Sequence, residues 1–281
     1  MSSILTNSGA MVALQTMRGI NKDMAQTQSE IATGKKVATA QDNASTWAIS
    51  KVMESDVAGF KAISDSLALG KATVGVASAA AEQIVGELND IKQLIISAQS
   101  ENVDHEKIQN DIAERTAQIS AIIGGAQFNG ANLLATDVDG AGADSVGVLA
   151  SLDRVGSGDP AATKITVKTV DFEADLDLET NLTEITNVTS AATALDEIEG
   201  FIQTAITGAA ALGASAARID SQSQFVAKLT DSMNAGIGAL VDADMEAASA
   251  RLQALQVQQQ LATQSLSIAN QQPQNILALF R

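Results

Sequence analysis

His105 is the only histidine among 281 residues, and there is no cysteine. Any scheme that needs an imidazole base has one candidate, and thiolate metal sites and disulfides are excluded. His105 stands in the charged run Ser100-Glu101-Asn102-Val103-Asp104-His105-Glu106-Lys107. That run reads as a turn between helices, so a solvated surface histidine is expected. Asp137, Asp139 and Asp144 are of the type that attracts Ca²⁺, but they complete no loop motif and the bidentate Glu is missing. The glycine-rich stretch around them fits no G-x-G-x-x-G, and no phosphate-cradling G-x-x-x-x-G-K is present. No catalytic residue, cofactor site or metal site is therefore expected. Trp47 is expected to be a packed anchor near a helix break. Arg115 falls on an apolar stripe, where an arginine lays its stem along the core and ends in water or on a carboxylate.

With so little chemistry, the elements themselves carry the information. The apolar residues are mostly Ala, Leu, Ile and Val, with six Phe, one Trp and no Tyr. Such a composition favours long helices whose backbones approach closely. The two prolines, Pro160 and Pro273, leave 1–159 and 161–272 free of that helix breaker. The formal net charge is -16, which argues against nucleic acid and anionic membrane surfaces as partners. Residues 1–45 carry Arg18, Lys22, Lys35 and Lys36 against Asp23, Glu30 and Asp42, a net of +1. Residues 251–281 carry Arg251 and Arg281 and no acid, a net of +2, which leaves -19 for 46–250. Buried charges are costly unless paired, so the ends expect burial and the middle expects water. No stretch approaches the roughly 20 apolar residues of a membrane span. The opening Met1–Asn7 has no basic start and no apolar block of leader length, so export by the general secretion route is not expected.

Heptad periodicity is the strongest signal. From Ile49 it runs through Met53, Asp56, Phe60, Ile63, Leu67, Gly70, Val74, Ala77, Ala81, Ile84, Leu88, Ile91, Ile95 and Ala98, broken only by Asp56 and Gly70. A shorter series runs Ile108, Ile112, Arg115, Ile119, Ile122, Ala126. A long one runs from Leu195 through Ile198, Ile202, Ala205, Leu212, Ile219, Val226 and Ile237 to Leu240. Fifty helical residues span about 75 Å, so such stripes must cover one another. The fold expected is mainly α, with a long helix, a shorter return and a second long helix making a three-helix core. At the start, Ala10, Ala13, Met17, Ile20, Met24, Thr27 and Ile31 keep the spacing until Gly34-Lys35-Lys36 breaks it. At the end, Leu252, Leu255, Gln259, Ala262, Leu266 and Ala269 follow it, with a second stripe of Ala254, Val257, Leu261 and Ile268 on another face. A helix apolar on two faces expects partners on two sides. Residues 136–164 read as loop, Lys164–Val170 as a strand candidate, and 180–188 as a weaker one, which makes 136–190 a small irregular or β-containing insertion.

Five short motifs, in order, resemble those of the bacterial flagellins, with features of the alphaproteobacterial branch. They are Ile4-Leu5-Thr6-Asn7; Glu30–Val37 with Ala40-Gln41-Asp42-Asn43-Ala44; Gln127-Phe128-Asn129-Gly130 before Leu133-Leu134; Leu240–Met245 before Ser249-Ala250; and Ala262–Arg281. The resemblance covers about 1–135 and 190–281. It implies a structural subunit, not an enzyme, that self-assembles into the extracellular flagellar filament after export by the flagellum's own secretion apparatus. Its implied partners are other copies, sibling flagellins, an export chaperone, the filament cap and the hook–filament junction proteins, with no nucleic acid and no membrane insertion. The junction protein shares the terminal architecture but matches the F-N-G and L-V-D-A-D elements less well. A cytoplasmic signalling coiled coil would leave the charge-free C-terminus unexplained.

The resemblance also implies an arrangement in which N- and C-terminal regions pair as a coiled coil. Residues 1–45 plus 246–281 form an inner-core domain, 46–135 plus 191–245 a helical shell, and 136–190 a surface-exposed insertion. Expected polymerisation contacts are Ile4, Leu5, Leu14, Met17, Met24, Ile31, Leu252, Leu255, Leu261, Leu266, Ile268, Ile276, Leu279 and Phe280. Phe128, Asn129 and Gly130 form the family motif. In many flagellins the segment equivalent to Leu88–Ile96 binds a vertebrate Toll-like receptor. Here Leu88, Lys92 and Leu94 are flanked by Asp90 where the family pattern has Arg, and by Gln93 where it has Glu, so weak receptor activation is expected.

Overall fold

The computed structural model describes residues 7–153 and 161–279, with side chains described through Gln271. The elements in chain order are α1 (Ser8–Thr33), α2 (Ala44–Ala98), α3 (His105–Gly125), β1 (Gln127–Phe128), β2 (Ala131–Asn132), β3 (Ser145–Asp153), β4 (Ala161–Lys168), α4 (Phe172–Asp175), α5 (Leu178–Asn181), α6 (Val188–Val241) and α7 (Met245–Leu279). No helix among the described residues is long and apolar enough to cross a membrane. Each long helix starts on an Asn or Asp whose side chain accepts a first-turn N–H: Asn7 from Ala10, Asn43 from Thr46, Asp104 from Lys107, Asn187 from Ser190 and Asp244 from Ala247. Each such cap is worth about 1 kcal/mol and sets where the helix begins. The chain divides into two compact units, 1–57 with 232–281, and 58–231.

The unit 58–231 is built on the predicted stripe. Leu67, Val74, Ala77, Ala81, Ile84, Leu88, Ile91, Ile95 and Ala98 of α2 are all fully buried. Ile112, Ile119 and Ile123 of α3 and Ala191, Ala194, Ile198, Ile202, Ala205, Leu212, Ile219 and Val226 of α6 are buried as well. Ion pairs at the margins set the direction. Lys71 meets Asp220 and Lys92 meets Glu199, so α6 returns antiparallel to α2. Arg115 of α3 reaches Glu87 at 2.6 Å and Asp90 at 2.8 Å on α2, and with His105 at the start of α3 against the Ala98 carbonyl at the end of α2 this makes α3 antiparallel as well. The Arg115 head ends on carboxylates, one of the two expected outcomes.

The segment read as loop over 136–164 contains a strand. β3 pairs antiparallel with β4, Val148 opposite Ile165 and Val146 opposite Val167, with a bulge between Leu149 and Ser151. The alternation Val146, Val148, Ala150, Leu152 is diluted by Gly147, Ala150 and Ser151, which hid it in a scan for large apolar residues. Val148, Ala150, Ile165 and Val167 are buried. Leu149 donates its N–H to Ser66 Oγ at 3.2 Å, and Gln222 donates to the Ala150 carbonyl at 2.7 Å, tying the hairpin to α2 and α6. Gly70, a break in the apolar stripe, is the notch that admits it: a Cβ there would stand 2.5 Å from Val148 Cγ2. Gly208 admits Val170 and Phe172 in the same way, and Phe172 is fully buried. The insertion therefore faces solvent on one side only. The weaker strand candidate over 180–188 is a one-turn helix followed by an extended link, held where Glu197 accepts from the Thr183 N–H and hydroxyl and Gln109 accepts from the Ile185 N–H.

In the unit formed by 1–57 with 232–281, α1 and α7 lie antiparallel. Asn7 donates to the Ala269 carbonyl at 2.8 Å, Gln259 donates to Asn21 at 2.9 Å, and Lys35 bridges Asp242. Thr27, Leu255 and Ala262 are buried in the seam. Val37, Ile237 and Val241 form a second cluster against which Trp47, Met53 and Val57 pack; Trp47 is thus the expected packed anchor. Two ends of the predicted stripes shift by one residue here. Ile49 and Leu240 are exposed, and Ser50 and Val241 take the buried places. The partner at this level is the 34–43 loop rather than a helix, and it grips the Val241 carbonyl through the N–H groups of Lys36 (2.7 Å) and Val37 (3.3 Å).

A Gly70→Ala substitution should destabilise the unit 58–231 by about 1–3 kcal/mol through overpacking. That would reverse the usual helix-stabilising sign of Gly→Ala. Denaturant unfolding of Gly70→Ala with and without Val148→Ala checks it: the second change should recover most of the loss.

Candidate assembly interface

The conserved-looking motifs turn out to be devices that turn the chain. Asn129 and Gly130 both have positive φ, 51° and 82°, between the paired residues Phe128 and Ala131. This is a two-residue type I′ hairpin, for which Asn-Gly is the favoured pair because both central residues must adopt left-handed backbone. The sequence signal was available in that rule, although strands of two residues give no alternation to support it. Phe128 is half-buried and Asn129 and Gly130 are exposed. The turn delivers Leu133 and Leu134, both fully buried, whose carbonyls accept from Val170 and Phe172.

The break at Gly34 is a left-handed helix end, φ 70°, and its carbonyl accepts from the Ala243 N–H at 2.9 Å. Asp42 then closes the loop, accepting from the Thr39 N–H (2.8 Å), the Ala38 N–H (3.1 Å) and the Thr39 hydroxyl (3.1 Å). The bond from the Thr39 backbone, above all, holds this carboxyl below its ordinary value. Asn43 caps α2 and Asp244 caps α7, so the motif residues Asp42, Asn43 and Asp244 are all spent on backbone N–H groups. Asp137 is used likewise, accepting from the N–H groups of Gly142 (2.7 Å), Ala143 and Asp139, and the Gly142 bond lowers its pKa first. No metal-binding group of His, Asp or Glu occurs among the described residues. His105 departs from the expected solvated state. It is half-buried, and its Nε2 donates to the Ala98 carbonyl at 2.9 Å, satisfying one of the four orphan acceptors at the end of α2.

The expected contact residues divide into two sets. Met17, Met24, Ile31, Leu252, Leu255 and Leu266 are half-buried or buried on the α1 and α7 stripes that face each other. Leu14, Leu261 and Ile268 are exposed, the last two by 59% and 61%, together with Met11, Val12 and Val257. Between the helices, Gly9, Val12, Ala13, Ile20, Leu261 and Ala262 line a mainly apolar groove of about 480 Å³. Ile4, Leu5 and Phe280 lie outside the described residues, as do the side chains of Ile276 and Leu279. In the receptor-equivalent segment Leu88 is buried, Leu94 half-buried and Gln93 exposed. Asp90 and Lys92 are engaged with Arg115 and Glu199.

A long-helix protein whose two chain ends pair, and whose paired helices leave apolar faces uncovered, belongs to the class of self-associating structural subunits. Residues 4–138 match the family model described as the bacterial flagellin N-terminal helical region, and 185–280 match that of the C-terminal helical region. A flagellin of Brucella melitensis is 43% identical over the whole of both chains. A flagellin of Caulobacter vibrioides is 37% identical over 100% of this chain and 99% of its own, and flagellin C of Rhizobium meliloti is 36% identical over the whole of both. Among solved structures, Bacillus cereus flagellin has 20% identity and a TM-score of 0.47 over 59% of this chain and 88% of its own. The chain belongs to the bacterial flagellin family. It is a structural subunit of the flagellar filament, the extracellular polymer into which flagellins assemble.

Asp42 gives a pH test of the loop. Its folded pKa is depressed, so its contribution to stability is present above the ordinary carboxylate value of 3.8 and is lost as pH falls through the lower folded value. Asp42→Asn should remove that part of the acid sensitivity of the unit formed by 1–57 with 232–281. Thermal melts across this range, followed at Trp47 fluorescence, would show it as a flatter profile.

Proposed function

We propose that the uncovered faces of α1 and α7 are the polymerisation surface, buried only when neighbouring subunits arrive. The observation that carries this is the two-sided α7: one apolar stripe meets α1 and the other, Val257, Leu261 and Ile268, meets solvent. In this reading residues 1–45 with 246–281 form the filament's inner core, 46–135 with 191–245 the shell, and 136–190 the outward part. Ile4, Leu5, Ile276, Leu279 and Phe280 join the same contacts. The subunit does no catalysis. It leaves the cell through the flagellar secretion apparatus with no leader removed, served by an export chaperone, and is placed by the filament cap above the hook–filament junction proteins. Family membership supports these partners. Subunits taken from filaments should therefore have the 28.9 kDa mass of the full chain, apart from loss of Met1 or added modification.

Weak activation of the vertebrate receptor belongs to the same reading. It is supported by Gln93 at an exposed position and by the ion pair that occupies Asp90. Asp90→Arg would set a guanidinium against Arg115, so Gln93→Glu is the cleaner substitution, expected to raise signalling in a reporter assay on monomer. Strong signalling by the unmodified subunit would refute this part.

Deletion of 262–281 should abolish filament formation while leaving the unit 58–231 folded. Electron microscopy after seeding, beside far-UV circular dichroism of the same sample, reads both outcomes. Normal filaments from the truncated chain would overturn the assignment of α7.

A further inference from the structure

All seven methionines, Met1, Met11, Met17, Met24, Met53, Met233 and Met245, fall in 1–57 or 232–281, and none falls in 58–231. With no cysteine, they are the only sulfur atoms in the chain. Their settings differ. Met11 and Met245 are 64% and 43% exposed. Met17, Met24, Met53 and Met233 are half-buried: Met17 and Met24 belong to the α1 stripe facing α7, and the Met53 methyl lies over Gly236. Met11 adjoins the exposed Val12 and Leu14, so its thioether sits within an apolar surface rather than among charges.

We propose that Met11, with Met245 as a second target, is a reversible oxidation site through which peroxide-class oxidants control assembly of the free subunit. The sulfur lone pair attacks one oxygen of hydrogen peroxide. The O–O bond breaks, the second oxygen leaves as water after proton transfer, and the sulfur, oxidised by two electrons, keeps the first oxygen as a sulfoxide. The product replaces a flexible apolar side chain with a strong hydrogen-bond acceptor. On a solvated monomer that change is tolerated. On a face that must become dry it leaves an acceptor without a donor. Because the unit 58–231 holds no sulfur, its fold is untouched, and a thiol-dependent sulfoxide reductase restores the thioether, two thiols being oxidised to a disulfide as the oxygen leaves as water. This inference rests on the proposal that the α1 and α7 faces are covered by other copies.

The test uses full-length monomer and hydrogen peroxide, with sulfoxides mapped by mass spectrometry and assembly followed by seeded elongation. Met11 should oxidise first, Met245 next, and Met17, Met24, Met53 and Met233 later. Elongation yield should fall about tenfold, the scale of losing one interface anchor, and return after treatment with methionine sulfoxide reductases. In finished filaments Met11 should resist the same dose. In a Met11→Leu, Met245→Leu subunit, elongation measured against that variant's own untreated rate should be unchanged by peroxide. Oxidised monomer that elongates at the untreated rate would overturn the proposal, as would equal oxidation of Met11 in filament and monomer. Equal peroxide sensitivity in the double variant would do the same. If that variant fails to elongate untreated, the filament protection of Met11 in the parent protein decides. Absence of any seeded elongation by untreated parent protein would instead count against the polymerisation surface itself.

Discussion

A helix that is apolar on two faces needs two partners, and among the described residues α7 meets one, α1. Leu252, Leu255, Ala262 and Leu266 turn toward α1, while Val257, Leu261 and Ile268 turn to water. Burial of apolar surface is worth roughly 25 cal/mol per Å², so an exposed aliphatic stripe favours association. The polar residues between the stripes, mostly Gln and Ser, carry no charge over 252–280 and raise no barrier to closing both faces. The same logic explains why α1 keeps Met11, Val12 and Leu14 outward. On the proposal that these faces are the polymerisation surface, the end helices take more neighbours than one chain provides.

That arrangement needs the two chain ends held in a defined register, and small polar devices do this. Gly34 and Ala243, Lys36 and Val241, and Asn7 and Ala269 join distant residues through single hydrogen bonds. Asp42, Asn43 and Asp244 set where the loop closes and where α2 and α7 begin. Each is a modest interaction, worth about 0.5–2 kcal/mol. Together they decide which face of each end helix points inward, which a continuous stripe of small apolar residues would leave free to slip.

Most of this was legible in the sequence where one physical signal sufficed. The α2 stripe from Leu67 to Ala98 is buried at the heptad members named from spacing, because a proline-free run of aliphatic residues at 3.5-residue intervals has one good solution. The pairing of the ends came from resemblance and from the absence of acids after residue 250, not from spacing alone. Of the hairpin β3–β4, the second strand was legible at Lys164–Val170 and the first was not. Its alternation is weak, and the notch that receives it is Gly70, which looks like a defect in a helix until Val148 is seen inside it. The phase errors at Ile49 and Leu240 have a related cause. Periodicity extrapolates a helical partner, and near 34–43 the partner is a loop. His105 escaped because capping the Ala98 carbonyl from seven residues away follows a turn geometry that composition does not reveal.

The charge distribution supports the proposed polymerisation surface. The unit of 1–57 with 232–281 holds seven Lys and Arg against eight acids, whereas 58–231 holds ten against twenty-five. Two copies approaching through the second unit meet strong like-charge repulsion, because salt screens only beyond about 8 Å at physiological ionic strength. Copies approaching through the first meet almost none, and there the uncovered apolar stripes lie. Repulsion among the acidic units does not forbid a polymer. It penalises alternative packings that would bring those units face to face, and so favours assembly through the near-neutral ends. On the proposed polymerisation surface, the acidic majority of the chain contributes specificity and the charge-poor minority contributes cohesion. An account of the filament that placed the acidic unit at the axis would leave an excess of fifteen carboxylates in each copy to be paired or protonated, and the remainder of the chain offers too few cations to do it.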